Sequence, residues 1–184
     1  MPARQDFHEM QYAEQAVVPA YQNACMTERI PTSWAEVRLR LQQARNYWIV
    51  THRRDGRPHA APVWGVWLDG KVCFSTSPDA VKARNLTADS RVVVNLESAD
   101  NVVILEGTAA PLEGADLARA DELYAAKYVL PRSGKRIGIG TGPAWAVTPQ
   151  IGHSWSEVAF PETMTRWRFG RPGTDPVAEP NSYG

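Results

Sequence analysis

Short apolar runs alternate with turn-forming dipeptides through the middle of the chain. Residues 47–52 are β-branched and aromatic, Asp55-Gly56 is a dipeptide favoured in two-residue hairpin turns, and residues 59–67 continue as a return strand. A second dipeptide, Asp69-Gly70, predicts another two-residue turn into a strand at residues 71–76. The pattern therefore predicts three antiparallel strands that follow one another in a meander.

Further strands are predicted in the second half of the chain. Residues 91–97 and 102–109 have the pattern of another hairpin. The first of these runs is almost continuously apolar, which is typical of a strand buried on both faces or at a subunit contact. Residues 144–148 and 163–169 supply two late strands. About six strands favour a small closed barrel over a parallel α/β sheet.

Helical spacing occurs in only a few places. Ser33 is a candidate N-cap with Glu36 three residues later, and we expect that helix to run to about Arg45. Residues 115–128 have a second helical pattern. The predicted fold class is therefore mainly β (α+β): a six-stranded antiparallel barrel with a few flanking helices.

The two ends of the chain differ from this central region. Residues 1–32 are polar with scattered apolar positions, which predicts an N-terminal arm. Residues 170–184 combine Gly, Pro and polar residues with almost nothing to bury, which predicts a mobile C-terminal tail. Residues 33–169 then form a single domain of ordinary size.

Charge and cysteine content narrow the class of protein. Twenty basic and twenty acidic residues cancel, so the net charge gives no reason to expect nucleic acid or an anionic membrane as a partner. Cys25 and Cys73 lie far apart and lack metal-type spacing, which favours two reduced thiols. The N-terminus has no signal-peptide pattern, and no segment approaches transmembrane length. We therefore expect a cytoplasmic protein with no metal site.

The junction after the third predicted strand carries the clearest candidate chemistry. Ser75 and Thr76 end that strand, and Ser77 is a candidate N-cap for a short basic helix. A helix N-terminus has unpaired N–H groups and partial positive charge, which suit a phosphate. Lys82 and Asn85 lie on one face of this helix at i and i+3. They could converge on one anion or simply form a solvated face.

Strand register brings an apolar segment next to this junction. If the Asp69-Gly70 loop has two residues, Trp64 lies opposite Ser75 and Val63 lies opposite Thr76. The apolar strand that contains Trp64 then borders the polar end of the next strand.

Side-chain direction alternates along this apolar strand. Pro62 and Trp64 point to one face, whereas Val63 points to the other. Gly65 lies between two tryptophans, at Trp64 and Trp67. A strand glycine there indicates either a bend in a barrel strand or a place where a flat ligand approaches the backbone.

Two histidines flank the first predicted turn. If Asp55-Gly56 is a two-residue turn, His52 and His59 face each other across the strands. The pair would suit a metal or a proton relay. Because no third metal ligand accompanies the two histidines, a half-exposed polar pair is the favoured interpretation.

Together these segments resemble the pyridoxamine-5′-phosphate-oxidase-like split β-barrel superfamily, and most closely its branch of flavin- and deazaflavin (F420)-dependent oxidoreductases. The matching segments, in chain order, are DGRPHAAPVW, FSTSPDAVKARNL, RVVVNLES, VVILEGTA and TRWRF. The resemblance implies a split barrel. It also implies a homodimer with its two cofactor sites at the subunit interface.

The resemblance assigns roles by position. Ser75 and Thr76 match the strand-end pair that contacts the cofactor phosphate, and Lys82 matches the lysine of an Arg-Lys pair. Trp155 and Arg166 match residues that complete the site from the partner subunit. The cofactor-binding residues expected from motif and resemblance together are Pro62, Val63, Trp64, Ser75, Thr76, Lys82, Asn85, Trp155 and Arg166.

Three cations of the FMN-using oxidases are missing from this chain. Val81 replaces the arginine of the Arg-Lys pair, and Ala61 and Val66 stand where those oxidases present an arginine and a lysine. The resemblance therefore favours F420 as the cofactor, with FMN as the alternative.

The implied function is that of an F420-dependent oxidoreductase. It would transfer a hydride between a reduced deazaflavin and a small, conjugated organic molecule, with no residue identified as acid or base. The apolar, tryptophan-rich strands indicate a flat and weakly charged substrate. The alternatives are an FMN-dependent oxidoreductase, or a non-catalytic protein of the same fold that binds a cofactor or a haem-like ligand.

Overall fold

The computed structural model describes residues 30–129, 133–135, 137–140, 142–171 and 174–179. Residues 1–29 of the predicted arm lie outside this described part. The last residues of the arm are attached to the domain, because the backbone N–H of Thr32 donates to Thr165 Oγ1 at 3.1 Å.

Strands make up most of the described part of the chain. The strands are β1 Asn46–His52, β2 Pro58–Leu68, β3 Lys71–Ser75, β4 Arg91–Asn95, β5 Asn101–Pro111, β6 Ala144–Ser156, β7 Thr165–Arg168 and β8 Val177–Glu179. The helices are α1 Trp34–Gln43, α2 Val81–Ala88 and α3 Gly114–Lys127, and a 3-10 turn covers Glu157–Ala159. None of the described helices combines the length and the apolar composition that a bilayer crossing requires.

The strands form one antiparallel sheet that closes on itself. Their order is β3-β2-β1-β4-β5-β6-β7-β8, and β6 also pairs with β3, which closes a barrel of the first six strands. The N-terminal part of β6 pairs with β3, whereas residues 151–154 pair with β7 outside the barrel. The predicted mainly β, six-stranded antiparallel barrel is therefore confirmed.

Two apolar clusters stabilise the barrel. The first fills its interior and includes Tyr47, Ile49, Val63 and Phe74, with α1 packed against one end. The second lies on the outer surface of β2, β3 and β6, where α3 covers strand residues such as Val66. Each large apolar side chain buried in this way contributes about 1.5–3 kcal/mol.

The predicted capping of α1 is confirmed. Ser33 Oγ accepts from the backbone N–H of Glu36 at 3.3 Å, and the Glu36 carboxylate accepts from the backbone N–H of Ser33 at 3.1 Å. The helix ends at Gln43, slightly before the predicted Arg45, because the chain must turn to enter β1.

The turn between β2 and β3 also agrees with the sequence prediction. Asp69 and Gly70 both have positive φ angles, 46° and 82°, as a tight two-residue hairpin turn requires. The predicted register holds for the pairs from Gly65–Phe74 to Leu68–Lys71.

The turn between β1 and β2 differs from the prediction by one residue. The Arg53 N–H donates to Arg57 O and the Gly56 N–H donates to Arg53 O, both at 2.9 Å, so the loop has three residues. Gly56 takes a φ of 82°, which suits the last position of such a loop. The two-residue turn predicted at this position was therefore wrong.

The one-residue shift separates the two histidines. Thr51 lies opposite His59, and His52 lies opposite Pro58. Because side chains alternate between faces, His52 and His59 point to opposite sides of the sheet. The predicted contact between them was therefore wrong.

The C-terminal segment also differs from the prediction. Val177–Glu179 form β8 and pair with β7, so this part of the predicted mobile tail is a strand of the sheet. The Arg168 guanidinium forms an ion pair with the Glu179 carboxylate across the two strands. The free edge of β7 supplies the backbone hydrogen bonds that a polar segment can use without a core of its own.

Candidate functional site

The end of β3 presents two hydroxyl groups at the surface. Ser75 pairs with Ala144 of β6, and the Thr76 N–H donates to Pro143 O at 3.2 Å. Phe74 fills the barrel interior, so the next residue, Ser75, points outward. Both hydroxyl-bearing side chains are half-buried, and neither forms a side-chain hydrogen bond within the described residues. They are therefore available to a ligand.

A glycine-containing loop passes close to these hydroxyls. A Cβ atom added to Gly140 would lie 3.8 Å from Ser75 Oγ, and one added to Gly142 would lie 3.1 Å from Thr76 O. Gly140 has a φ of 92°, which a residue with a side chain rarely adopts. The loop backbone can therefore form one wall beside the end of β3.

The N-terminus of α2 has no side-chain cap. The helix begins at Val81 after Ala80, and Ser77 instead forms a turn in which its Oγ accepts from the Asp79 N–H at 3.3 Å. The predicted N-cap at Ser77 was therefore wrong, because this turn delays the start of the helix. The first N–H groups of α2 have no capping side chain and can receive an anion.

Lys82 and Asn85 have different environments. Asn85 is buried, and its Nδ2 donates to Thr51 Oγ1 at 2.9 Å, which attaches α2 to β1. Lys82 is half-buried and forms no ion pair with a carboxylate in the described part of the chain. Of the two predicted anion-binding residues, Lys82 has a free charge, whereas the amide of Asn85 is already engaged.

His59 was not among the predicted cofactor-binding residues, although the sequence analysis considered it as a partner of His52. Its Nδ1 atom is buried and has no hydrogen-bond partner among the described residues. Burial lowers the pKa of His59, and the positive charges of Arg53 and Lys82 lower it further. The charges of Arg53 and Lys82 thus act on His59, and we refer to these three residues as the cationic cluster. The segment HRRDGRPH contains Arg53 and His59. Their relative positions could be predicted only with the correct length of the first turn.

An apolar surface lies beside the end of β3. Pro62 and Trp64 are exposed on the outer face of β2, whereas Val63 is buried in the barrel core. The Trp64 ring stacks on Tyr128, with a centroid distance of 4.9 Å and an interplanar angle of 9°. Pro62 and Trp64 can therefore contact a ligand directly, and Val63 can act only through the backbone.

Gly65 is required by packing inside the barrel. A Cβ atom at this position would lie 2.9 Å from Cys73 O and 3.1 Å from the Tyr47 ring. Its backbone N–H and C=O are also engaged, by the Tyr128 hydroxyl and by Lys127 Nζ, each at 2.8 Å. Close packing, not an approaching ligand, therefore accounts for glycine here.

Trp155 and Arg166 lie far from Ser75 within the chain. Ser75 pairs with Ala144 at the start of β6, whereas Arg166 pairs with His153, nine residues further along that strand. At 3.3 Å per residue this separation is roughly 30 Å. The structure of a single chain therefore does not bring these two residues to the site around Ser75 and Lys82.

Trp155 instead borders a surface groove on the outer face of the sheet. This groove of about 470 Å³ is lined mainly by Trp48, Val93, Asn95, Val102, Ile104 and Trp155. Trp48 is 38% exposed, which is unusual for so large an apolar side chain. Arg166 Nε is buried, has no hydrogen bond in the described part of the chain, and lies 3.7 Å from Glu179.

Two positions at which the FMN-using oxidases present a cation are occupied here by apolar residues that are at least partly buried. Val66 is buried beneath α3, and Ala61 is half-buried on β2. No described cluster of three or more His, Cys, Asp or Glu side chains has an arrangement that could hold a metal ion.

Comparison with known sequences agrees with this geometry. The sequence model described as "Pyridoxamine 5'-phosphate oxidase" matches residues 33–155, which is more than half of the chain. No curated protein sequence matches the chain significantly.

Solved structures with the same fold include three of interest. A conserved hypothetical protein of Mycobacterium tuberculosis is 24% identical with a TM-score of 0.58, over 71% of this chain and 89% of its own. A heme binding protein from Mycobacterium smegmatis is 23% identical with a TM-score of 0.56, over 76% of this chain but only 59% of its own. An F420 reductase is 18% identical with a TM-score of 0.52, over 67% of this chain and 98% of its own. At these identities the likeness establishes the fold alone.

Proposed function

Because the chain belongs to the pyridoxamine 5′-phosphate oxidase family and has its split-barrel fold, we propose that it is an F420-dependent oxidoreductase. It transfers a hydride between a reduced deazaflavin and a small, conjugated organic molecule. One observation carries this proposal: the cationic cluster of Arg53, His59 and Lys82 includes the second residue of α2, a helix whose N-terminus has no capping side chain. The cluster and the helix N-terminus suit a phosphate, and the exposed side chains of Pro62 and Trp64 suit a flat ring.

The anionic part of the cofactor is the better-defined half of the site. Ser75 and Thr76 offer hydroxyl donors, Lys82 offers an unpaired charge, and α2 offers free N–H groups. His59 Nδ1 is a buried polar atom without a partner, and a bound phosphate oxygen would satisfy it when the ring is protonated. The residues present therefore fit a phosphorylated group.

The choice of F420 over FMN rests on the missing cations. Ala61, Val66 and Val81 place no positive charge where the FMN-using oxidases have one. The fold shared with an F420 reductase is consistent with this choice. FMN remains the alternative cofactor.

The chemistry is supplied by the cofactor, since a reduced deazaflavin is a hydride donor that reacts poorly with oxygen. The protein would bind the cofactor and orient it. Pro62 and Trp64 provide an apolar surface that excludes water from one side of a flat ring. Tyr128 holds Trp64 in place by stacking, so this surface is rigid before a ligand binds.

We further propose that the active form is a homodimer in which the partner subunit contributes Trp155 and Arg166. Two observations support this arrangement: these residues lie roughly 30 Å from Ser75 within one chain, and an apolar groove with an exposed Trp48 lies beside Trp155. A second copy of the chain would cover that groove.

A titration of the purified protein with F420 and with FMN, followed by fluorescence and absorbance, tests the proposed function. We expect F420 to bind in the micromolar range or tighter, and Lys82→Ala to weaken it at least about tenfold. Lys135→Ala removes the same charge from an exposed position and should leave the affinity unchanged. Tighter binding of FMN would move the protein to the flavin-dependent class. Binding of haem, with neither coenzyme bound, would favour the non-catalytic alternative.

A further inference from the structure

A groove lies where the β1–β2 turn meets α2. It has a volume of about 460 Å³ and is lined by Arg54, Pro78, Arg84, Asn85 and Thr87. None of these residues is acidic, and the volume lies within the range of small-molecule sites. Neither arginine is among the residues assigned to the cofactor.

The two guanidinium groups of this groove have no counter-charge. Neither Arg54 nor Arg84 forms an ion pair with a carboxylate in the described part of the chain. Arg84 Nη1 donates to the backbone oxygen of Asp79 at 2.6 Å, so a neutral group orients this side chain and its other N–H donors stay free. Guanidinium groups bind oxyanions through pairs of such donors. The groove therefore offers positive charge to an anion.

The buried residue of the groove offers a hydrogen-bond acceptor. Asn85 is 6% exposed, and its Nδ2 donates to Thr51 Oγ1 at 2.9 Å. The Thr51 hydroxyl donates in turn to His59 O at 3.4 Å, so it acts as the acceptor for the Asn85 amide. The remaining atom, Asn85 Oδ1, accepts no hydrogen bond from the described residues and is not fully enclosed. It therefore faces the groove that Asn85 lines.

Thr87 supplies a second acceptor. Its hydroxyl donates its proton to Ala83 O at 3.0 Å, so Oγ1 presents only lone pairs to the groove. A fully ionised oxyanion would satisfy the two arginines but would place its own lone pairs against Asn85 Oδ1 and Thr87 Oγ1. An anion that keeps a proton satisfies both kinds of group.

We propose that this groove is a binding site for inorganic phosphate. At neutral pH the ion carries negative charge for Arg54 and Arg84, and it keeps at least one O–H that donates to Asn85 Oδ1 or Thr87 Oγ1. Sulfate has the same tetrahedral shape but no proton at this pH. The two acceptors therefore select phosphate over sulfate, because only phosphate avoids placing lone pairs against them.

This site is separate from the cationic cluster. Lys82 and Arg84 are two residues apart on α2, and at roughly 100° per residue their side chains leave opposite sides of the helix. Arg54 lines the groove, whereas its neighbour Arg53 belongs to the cluster that acts on His59. Phosphate binding in the groove does not require F420 to bind.

An NMR titration of the isotopically labelled protein at pH 7.5 and constant ionic strength tests the proposal, because backbone amide shifts report on each site separately. We expect the amides of Arg54 and Thr87 to shift and to saturate with sodium phosphate. Sodium sulfate should bind there at least about tenfold more weakly. Equal affinities for the two ions would indicate simple charge attraction and would overturn the proposal, as would the absence of shifts at these residues.

Glycerol 3-phosphate distinguishes the free ion from phosphate esters. A phosphate monoester has a second pKa of about 6, so at pH 7.5 it is mainly a dianion without a proton. We expect it to bind in the groove at least about fivefold more weakly than inorganic phosphate. An equal or higher affinity for the ester would overturn the role of the proton.

Substitutions locate the bound ion. Arg84→Gln removes one guanidinium and should weaken phosphate binding at least about fivefold, whereas Lys135→Gln removes an exposed charge elsewhere and should have no effect. Thr87→Val removes one acceptor and should weaken the binding of phosphate but not that of sulfate. Lys82→Ala should leave the response of the Thr87 amide unchanged. Loss of that response would mean that the ion binds in the cationic cluster, and the separate site would be wrong.

Discussion

The Asn85 side-chain amide donates a 2.9 Å hydrogen bond to Thr51 Oγ1, and both residues are buried where α2 meets β1. This bond fixes the position of the helix whose N-terminus carries Lys82. Two neutral polar groups thus attach to β1 the helix that carries Lys82.

Removal of one partner of this bond should be costly. Thr51→Val leaves the Asn85 amide buried without an acceptor, and we expect the free energy of unfolding to fall by about 1–3 kcal/mol. Urea denaturation measures the loss. Thr87→Val is a suitable control, because among the described residues the Thr87 hydroxyl bonds only to the Ala83 carbonyl of its own helix. Its loss should change stability by less than about 0.5 kcal/mol. Equal effects of the two substitutions would contradict the anchoring role.

His59 should respond to an anion. Burial lowers its pKa in the free protein, and Arg53 and Lys82 act in the same direction. A bound phosphate would stabilise the protonated ring and raise this pKa. NMR titration of the histidine ring protons, with and without inorganic phosphate, measures the change. The resonance would be assigned with His59→Gln, and a pKa unaffected by phosphate would count against the cationic cluster as an anion site.

The same histidine should make the fold sensitive to acid. Because the pKa of His59 is lower in the folded than in the unfolded chain, the unfolded chain binds more protons as the pH falls below about 6.5. The free energy of unfolding is therefore expected to decrease as the pH falls from about 6.5 through the lowered pKa that His59 has in the folded chain. His59→Gln should show a smaller decrease over that window in urea titrations at several pH values. Parallel pH profiles for the two proteins would show that other groups dominate.

Subunit mixing tests the proposed shared site. Lys82→Ala and Arg166→Ala should each weaken F420 binding, because they remove charges from opposite sides of one interface site. In a mixed dimer both substitutions fall in the same site and the other site is intact. Random exchange of equal amounts should therefore restore tight binding to about one quarter of the sites. No restoration, despite exchange confirmed by native mass spectrometry, would mean that both residues act within one chain or that Arg166 takes no part.

Gly65→Ala should destabilise the barrel. The added methyl group would lie 2.9 Å from the Cys73 carbonyl oxygen, which cannot move without disturbing the β2–β3 pairing. Overpacking of this kind costs about 1–3 kcal/mol. Gly170→Ala is the matched control, because the one described atom within 4 Å of its methyl group would be Thr174 Oγ1, at 3.8 Å. Thermal unfolding of the two variants checks the difference.

Some features of this protein follow from local sequence alone. The capping box of Ser33 and Glu36, the Asp69-Gly70 turn and most of the strands were predicted correctly, because spacing and turn preference act over a few residues. The five matching segments, from the Asp55 turn to the late TRWRF strand, were together sufficient to indicate the superfamily. These signals identify Ser75, Thr76 and Lys82 as candidates without any knowledge of the barrel.

The tertiary structure decided what those candidates have as neighbours. Asp-Gly dipeptides suit both two-residue and three-residue hairpin loops, and only the pairing of β1 with β2 selects the longer loop that brings His59 opposite Thr51. Packing of α2 against β1 gives the Asn85 amide its acceptor, Thr51 Oγ1. Local preference determines the elements. Contacts between residues distant in sequence determine which polar groups are satisfied and which remain free to bind a ligand.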